Sequence, residues 1–90
     1  MEHFANLQLR VYTNIDDNKL IGEKVQHITD FCNKHDIGLY SEYNRETGYI
    51  FADIIARGLT TRYCRGTVHE VKQMYKNAFK GKIIVLVEAY

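Results

Sequence analysis

Leu7, Leu9 and Val11 alternate with Gln8, Arg10 and Tyr12, the two-residue period of a strand buried on one side. Asp16-Asp17-Asn18 then offers side-chain acceptors for a helix N-cap. After it Leu20, Ile21, Val25, Ile28, Phe31 and Cys32 recur at three- and four-residue spacing up to Gly38, which predicts an amphipathic helix. Two runs rich in aromatic and β-branched residues follow, Ile37 to Tyr43 and Tyr49 to Arg57. The Asn44-Arg45-Glu46-Thr47-Gly48 segment that joins them has a glycine for a positive φ, so the pair reads as a hairpin. Thr67-Val68-His69-Glu70 has the Thr-x-x-Glu form of a capping box and predicts the start of a second helix there. Val68, Val71, Met74, Tyr75, Ala78 and Phe79 give that helix its apolar stripe, and Gly81 is the expected left-handed C-cap. The chain closes on Lys82 to Tyr90, where Ile83-Ile84-Val85-Leu86-Val87 is apolar on both faces, the signature of a central strand.

The order β-α-β-β-α-β with right-handed crossovers folds most simply into an α+β ferredoxin-like plait, a four-stranded antiparallel sheet with two helices on one face. Ninety residues, 46% of them hydrophobic, suffice for one core and not for two, so residues 1–90 read as a single domain. The topology serves many unrelated functions and says little about this one.

No apolar run approaches the length that spans a bilayer, and the first residues lack the layout of a signal peptide. No membrane association and a cytoplasmic location are the expectation. Cys32 and Cys64 lie far apart and in no metal-ribbon spacing, which fits a reducing compartment better than a disulfide scaffold. His27, Asp30, Cys32 and His35 crowd into one stretch. At about 100° per residue, however, Cys32 falls near the core stripe and His27 on the flank, so neither metal nor cofactor is expected.

The formal charge of +1 hides an asymmetry. Residues 1–56 carry five Lys/Arg against nine Asp/Glu, a balance of −4, while residues 57–82 carry seven against Glu70 alone, a balance of +6. A basic stretch inside a near-neutral protein can steer an anionic partner to one face. The segment from Arg57 to Thr67 leads into the predicted second helix, where free N–H groups and the helix dipole favour phosphate or carboxylate. Arg57, Thr60, Thr61, Arg62, Arg65 and Thr67 are therefore the candidate anion ligands, with Lys76 and Lys80 extending the track along the helix. The spacing matches neither the phosphate loop of nucleotide hydrolases nor the dinucleotide fingerprint. The alternative is a polar connection whose arginines pair with the acidic half of the chain.

The second candidate is the sheet face turned away from the helices. If Leu9, Val11, Ile50, Ala52, Ile54, Val85 and Val87 point at the helices, alternation sends the next residues the other way. Arg10, Tyr12, Tyr40, Tyr49, Phe51, Ile55 and Leu86 then form an interface or stacking face, together with Glu42, Asp53 and Ile84. So apolar a face predicts a homodimer stacked sheet on sheet, or a ligand surface. On it, Thr47-Gly48-Tyr49-Ile50-Phe51-Ala52-Asp53-Ile54 resembles the octapeptide of the RNA-recognition motif. Gly48, Tyr49 and Phe51 agree with that pattern, and the resemblance implies bases stacked on the two aromatics. Thr47, Ile50 and Ile54 depart from it, and Arg10 stands where the motif's other aromatic would be.

For catalysis, Cys64 stands between two arginines before the predicted helix, a setting that lowers a thiol pKa, but no partner base accompanies it. The expectation is thus a small non-enzymatic binding or regulatory protein that engages RNA, single-stranded DNA or a nucleotide through the arginine-rich segment. Its rival is a protein-protein regulator or inhibitor that meets an acidic protein on the same basic surface, with the aromatic sheet face as the hot spot. A small enzyme acting on a phosphate-bearing substrate comes third. The Asn, Lys, Ile and Tyr usage is that of a low-GC genome, which suits a phage or mobile-element regulator.

Overall fold

A computed structural model describes residues 2–90. In chain order it comprises β1 (His3–Thr13), α1 (Asn18–Lys34), β2 (Gly38–Asn44), β3 (Tyr49–Gly58), α2 (Thr61–Phe79) and β4 (Lys80–Ala89). The strands form one antiparallel sheet in the order β2-β3-β1-β4, with β1 and β3 in the middle. This is the ferredoxin-like α+β plait, and each local signal has a visible job in it. Asp17 caps α1 by accepting from the Lys19 and Leu20 amides at 2.9 and 3.3 Å. Gly48 takes φ +75° in the hairpin, where its N–H closes a turn onto the Asn44 carbonyl.

Alternation along the central strands delivers Leu7, Leu9 and Val11 of β1 and Ile50, Ala52 and Ile54 of β3 to the helix side, where all six are buried. Onto this platform α1 sets Ile21, Ile28 and Cys32, and α2 sets Cys64, Val68, Val71, Tyr75 and Phe79. The core also accommodates the Tyr75 hydroxyl, which donates to Ser41 Oγ at 2.9 Å. Burial pushes the Tyr75 phenol up to about 12, so it stays a neutral donor.

Several expectations from the sequence are corrected. The second helix starts at Thr61, six residues before the Thr67 capping box. Its N-cap is Thr60, whose hydroxyl accepts from the Tyr63 amide at 3.0 Å, while Thr67 donates its hydroxyl back to the Tyr63 carbonyl from inside the helix. The left-handed C-cap is Lys80, at φ 55°, and not Gly81. Gly81 is needed one step later, where β4 passes so close to the backbone of Tyr12 that a Cβ would collide with its carbonyl. Finally, β4 is an edge strand and not a central one, hydrogen-bonded only to β1.

A β-bulge re-aims the end of β4. Leu9 faces Val85 but Gln8 faces Val87, so Leu86 is an extra residue without a partner on β1. Beyond it the alternation inverts. Val87, expected on the helix side, shares the open face with Gln8, and Glu88 shares the helix side with Leu7.

Two glycines test this description in opposite directions. Gly66 lies within α2 with nothing within 4 Å of an added Cβ, so Gly66→Ala should raise stability by about 0.5–1 kcal/mol through helix propensity and a stiffer unfolded chain. Gly81→Ala should cost more than about 2 kcal/mol because backbone must move. Urea midpoints shifted up for the first and down for the second are the expected result.

Candidate functional site

With α2 beginning at Thr61, the basic segment ceases to be a loop and becomes a helix face. Arg62, Arg65, His69, Lys72 and Lys76 follow one another at spacings of three, four, three and four residues, which puts them on one flank. Arg62 to Lys76 spans about 21 Å at 1.5 Å per residue. The apolar residues of α2 fix where that flank looks. Cys64, Val68, Val71, Tyr75 and Phe79 face the sheet, while Met74 and Ala78 line a groove against Leu20, Lys24 and His27 of α1. The basic flank therefore overlooks β4. Glu70, the one acid of α2, sits about 120° around the helix from it.

The end of β4 reaches up to meet this flank. Glu88 approaches His69 Nε2 at 3.3 Å, and the Tyr90 hydroxyl lies 2.7 Å from the same nitrogen and donates to the Glu88 carboxylate. Arg65 stacks its guanidinium over the Tyr90 ring, 5.0 Å from the centroid, a cation–π contact. The Tyr90 hydrogen bond, followed by His69 and the nearby Arg65 charge, holds the Glu88 carboxyl below the ordinary glutamate value. It therefore stays ionised to a lower pH than a free glutamate does, and the clasp is lost as pH falls through that lowered value.

The residues expected to bind an anion do not all converge. Arg57 is next to last in β3 and pairs loosely with Glu2 at 3.9 Å, both side chains about half exposed. Near it Leu59 and Tyr63 stand out into solvent, at 81% and 59% exposure. Thr60 is occupied as the N-cap, the Thr61 hydroxyl lies 3.3 Å from His3 Nδ1, and Thr67 is bonded within the helix. Lys80 stands at the far end of α2, about 30 Å from Thr60, and with Lys76 lines a shallow depression next to Asn77 and Gly81. Arg62, Arg65 and Lys76 lie on the flank just described. Lys72 and His69 belong with them and were not among the candidates, because a helix taken to start at Thr67 leaves both arginines outside its periodicity.

The open sheet face carries Arg10, Tyr12, Tyr40, Tyr49, Phe51 and Ile55 as the alternation predicts. Tyr12 and Tyr49 pack at 5.7 Å between centroids, Tyr40 and Phe51 at 6.3 Å, and Arg10 lies 5.0 Å over the Tyr49 ring. Acids are interleaved among them. Asp53 accepts from Asn6 Nδ2 at 2.6 Å, and Glu42 accepts from the Tyr40 hydroxyl at 2.7 Å. The two aromatics of the octapeptide are thus on the open face, but between carboxylates that oppose a phosphate backbone. Leu86 sits in the bulge at the sheet edge.

Cys64 is fully buried and donates its thiol to the His3 carbonyl at 3.3 Å, so no substrate reaches it. Cys32 is buried as well, and desolvation pushes its thiol up to about 11. In the native protein both should react with a disulfide reagent at neutral pH far more slowly than free cysteine, and at the full rate in denaturant. Fast labelling of Cys64 in the folded state would reopen a nucleophilic role.

No family model and no curated protein matches the chain. Among solved structures the chain is similar to the de novo designed protein Ferredog-Diesel, at a TM-score of 0.64 and 12% identity over 94% of this chain and 85% of that one. It also matches the de novo designed protein Foldit4, at a TM-score of 0.49 and 15% identity over 94% of this chain and 93% of that one. Among the described residues no helix is long and apolar enough to cross a membrane. The likeness to Ferredog-Diesel bears on the fold alone: this chain has the backbone plan of a ferredoxin-like plait.

Proposed function

We propose that this protein is a non-enzymatic binding protein that engages an extended anionic partner along the β4-facing flank of α2. The observation that carries the reading is the row Arg62, Arg65, Lys72 and Lys76, with His69 between them and no acid of α2 beside them. A row about 21 Å long suits a chain of anionic groups better than one nucleotide. A compact phosphate pocket has less support, because the threonines around the start of α2 are engaged locally and Arg57 stands apart with Glu2. Surface lysines are common on helices. What distinguishes this row is its register: five successive positions of one flank without an interruption by Asp or Glu.

An oligothymidylate strand is a suitable polyanion probe. Its log affinity should fall linearly with log salt, and Arg62→Ala/Lys72→Ala should lower the slope by about 1.4, since each cation lost forfeits about 0.7 on a single strand. A slope the double variant leaves unchanged, or failure of both oligothymidylate and polyglutamate to bind at low salt, would remove this reading.

The open sheet face supports a second reading, self-association. Phe4, Tyr40 and Ile55 are all exposed there, beside the half-buried Tyr12, Tyr49 and Phe51, and clustered exposed apolar side chains are what interfaces are built from. A homodimer stacked on this face should become a folded monomer in Phe51→Glu by light scattering, and a monomeric wild type would dispose of it.

A further inference from the structure

The sequence of β4 and its position disagree. Ile83 to Val87 is apolar on both faces, as central strands are, yet β4 is hydrogen-bonded on one side only. Val85, Leu86 and Val87 are left 37%, 41% and 38% exposed. Edge strands are ordinarily blunted by charge, proline or a covering segment. Within Ile83–Val87 there is neither charge nor proline, and among the described residues no backbone hydrogen bond reaches it from outside the sheet.

We infer that the free edge of β4 accepts an extended acidic protein segment as a fifth strand, whose carboxylates meet the basic flank of α2. This rests on the binding reading above and names its partner. The geometry follows from the spacing of strands. A strand added beyond β4 lies about 4.8 Å further out, on the side that the α2 flank overlooks. Its alternate side chains rise toward Arg62, Arg65, Lys72 and Lys76, while its backbone pairs the open ladder and its apolar positions cover the exposed valines. Glu88 already shows the arrangement in miniature: a carboxylate on the helix side of β4 that reaches His69 at 3.3 Å.

Charge also discriminates against the other occupants. A second copy pairing β4 with β4 about a two-fold axis would bring one basic flank against another. A nucleic acid satisfies the flank but has no strand ladder for the edge. The acidic extended segment meets both requirements.

The probes are a short peptide alternating Glu and Val, the same peptide with alternate amides N-methylated in either register, and the oligothymidylate strand. The unmodified peptide should bind and slow hydrogen exchange of those β4 amides between Ile83 and Ala89 that point away from β1. N-methylation in the register that faces β4 should weaken it by about tenfold or more, with its charge unchanged. Lys72→Glu/Lys76→Glu, both on the β4-facing flank and outside the core, should weaken it comparably. Equal binding by both N-methylated peptides and the parent would overturn the inference, as would protection in the free protein of the β4 amides that point away from β1, which would mean that a second copy already covers the edge. Failure of the peptide where oligothymidylate binds would also overturn it and would leave the broader binding reading standing, whereas failure of every probe at low salt would remove both.

Discussion

The seating of α2 on the two central strands is the constraint from which the surface of this protein follows. Cys64, Val68, Val71, Tyr75 and Phe79 are all buried on the sheet side, and two polar contacts keep the helix in phase at either end. The Cys64 thiol bonds the His3 carbonyl near the start, and the Tyr75 hydroxyl bonds Ser41 of β2 further on. Once that stripe faces down, the remaining directions are fixed by about 100° per residue. Met74 and Ala78 turn to α1, and Arg62, Arg65, Lys72 and Lys76 turn to the edge of the sheet. The basic flank is thus a consequence of core packing in a fold that leaves one side of α2 without a helical neighbour.

Much of the architecture was legible because period-two and period-3.6 patterns survive intact in β1, β3 and both helices. What was misread has local causes. The true start of α2 lacks the usual charge signals, since its first turn contains no acid and does contain Arg62, against the helix dipole. The Thr67-x-x-Glu70 pattern, following directly on Gly66, imitated a start further on. Shifting the helix by six residues concealed the basic row, because a three-four-three-four spacing has meaning only within one helix. Gly81 looked like a C-cap because glycine is the ordinary left-handed residue. The close pass of β4 over Tyr12, which claims that glycine for another purpose, is a long-range contact that no local window contains. The bulge at Leu86, which exchanges the faces of Val87 and Glu88, is hidden for the same reason.

The position of β4 was misread on a sound rule. A strand apolar on both faces belongs in the middle of a sheet, and topology places this one at the edge. The two statements are reconciled if the sheet is completed by a partner. The candidate site was legible only as a composition, a basic stretch between residues 57 and 82. Its resolution into one flank beside one open edge required the fold. The clasp of Glu88, Tyr90, His69 and Arg65 joins these two features.

The central claim is one of place: that the anionic partner lies along α2 and β4 and not on the aromatic sheet face. Mapping amide chemical shifts during titration with polyglutamate tests it most directly. The account predicts perturbations that run from Arg62 to Lys76 and along Ile83 to Ala89, with Tyr12, Tyr49 and Phe51 unmoved. Shifts gathered on those three aromatics and Arg10, with α2 silent, would contradict it.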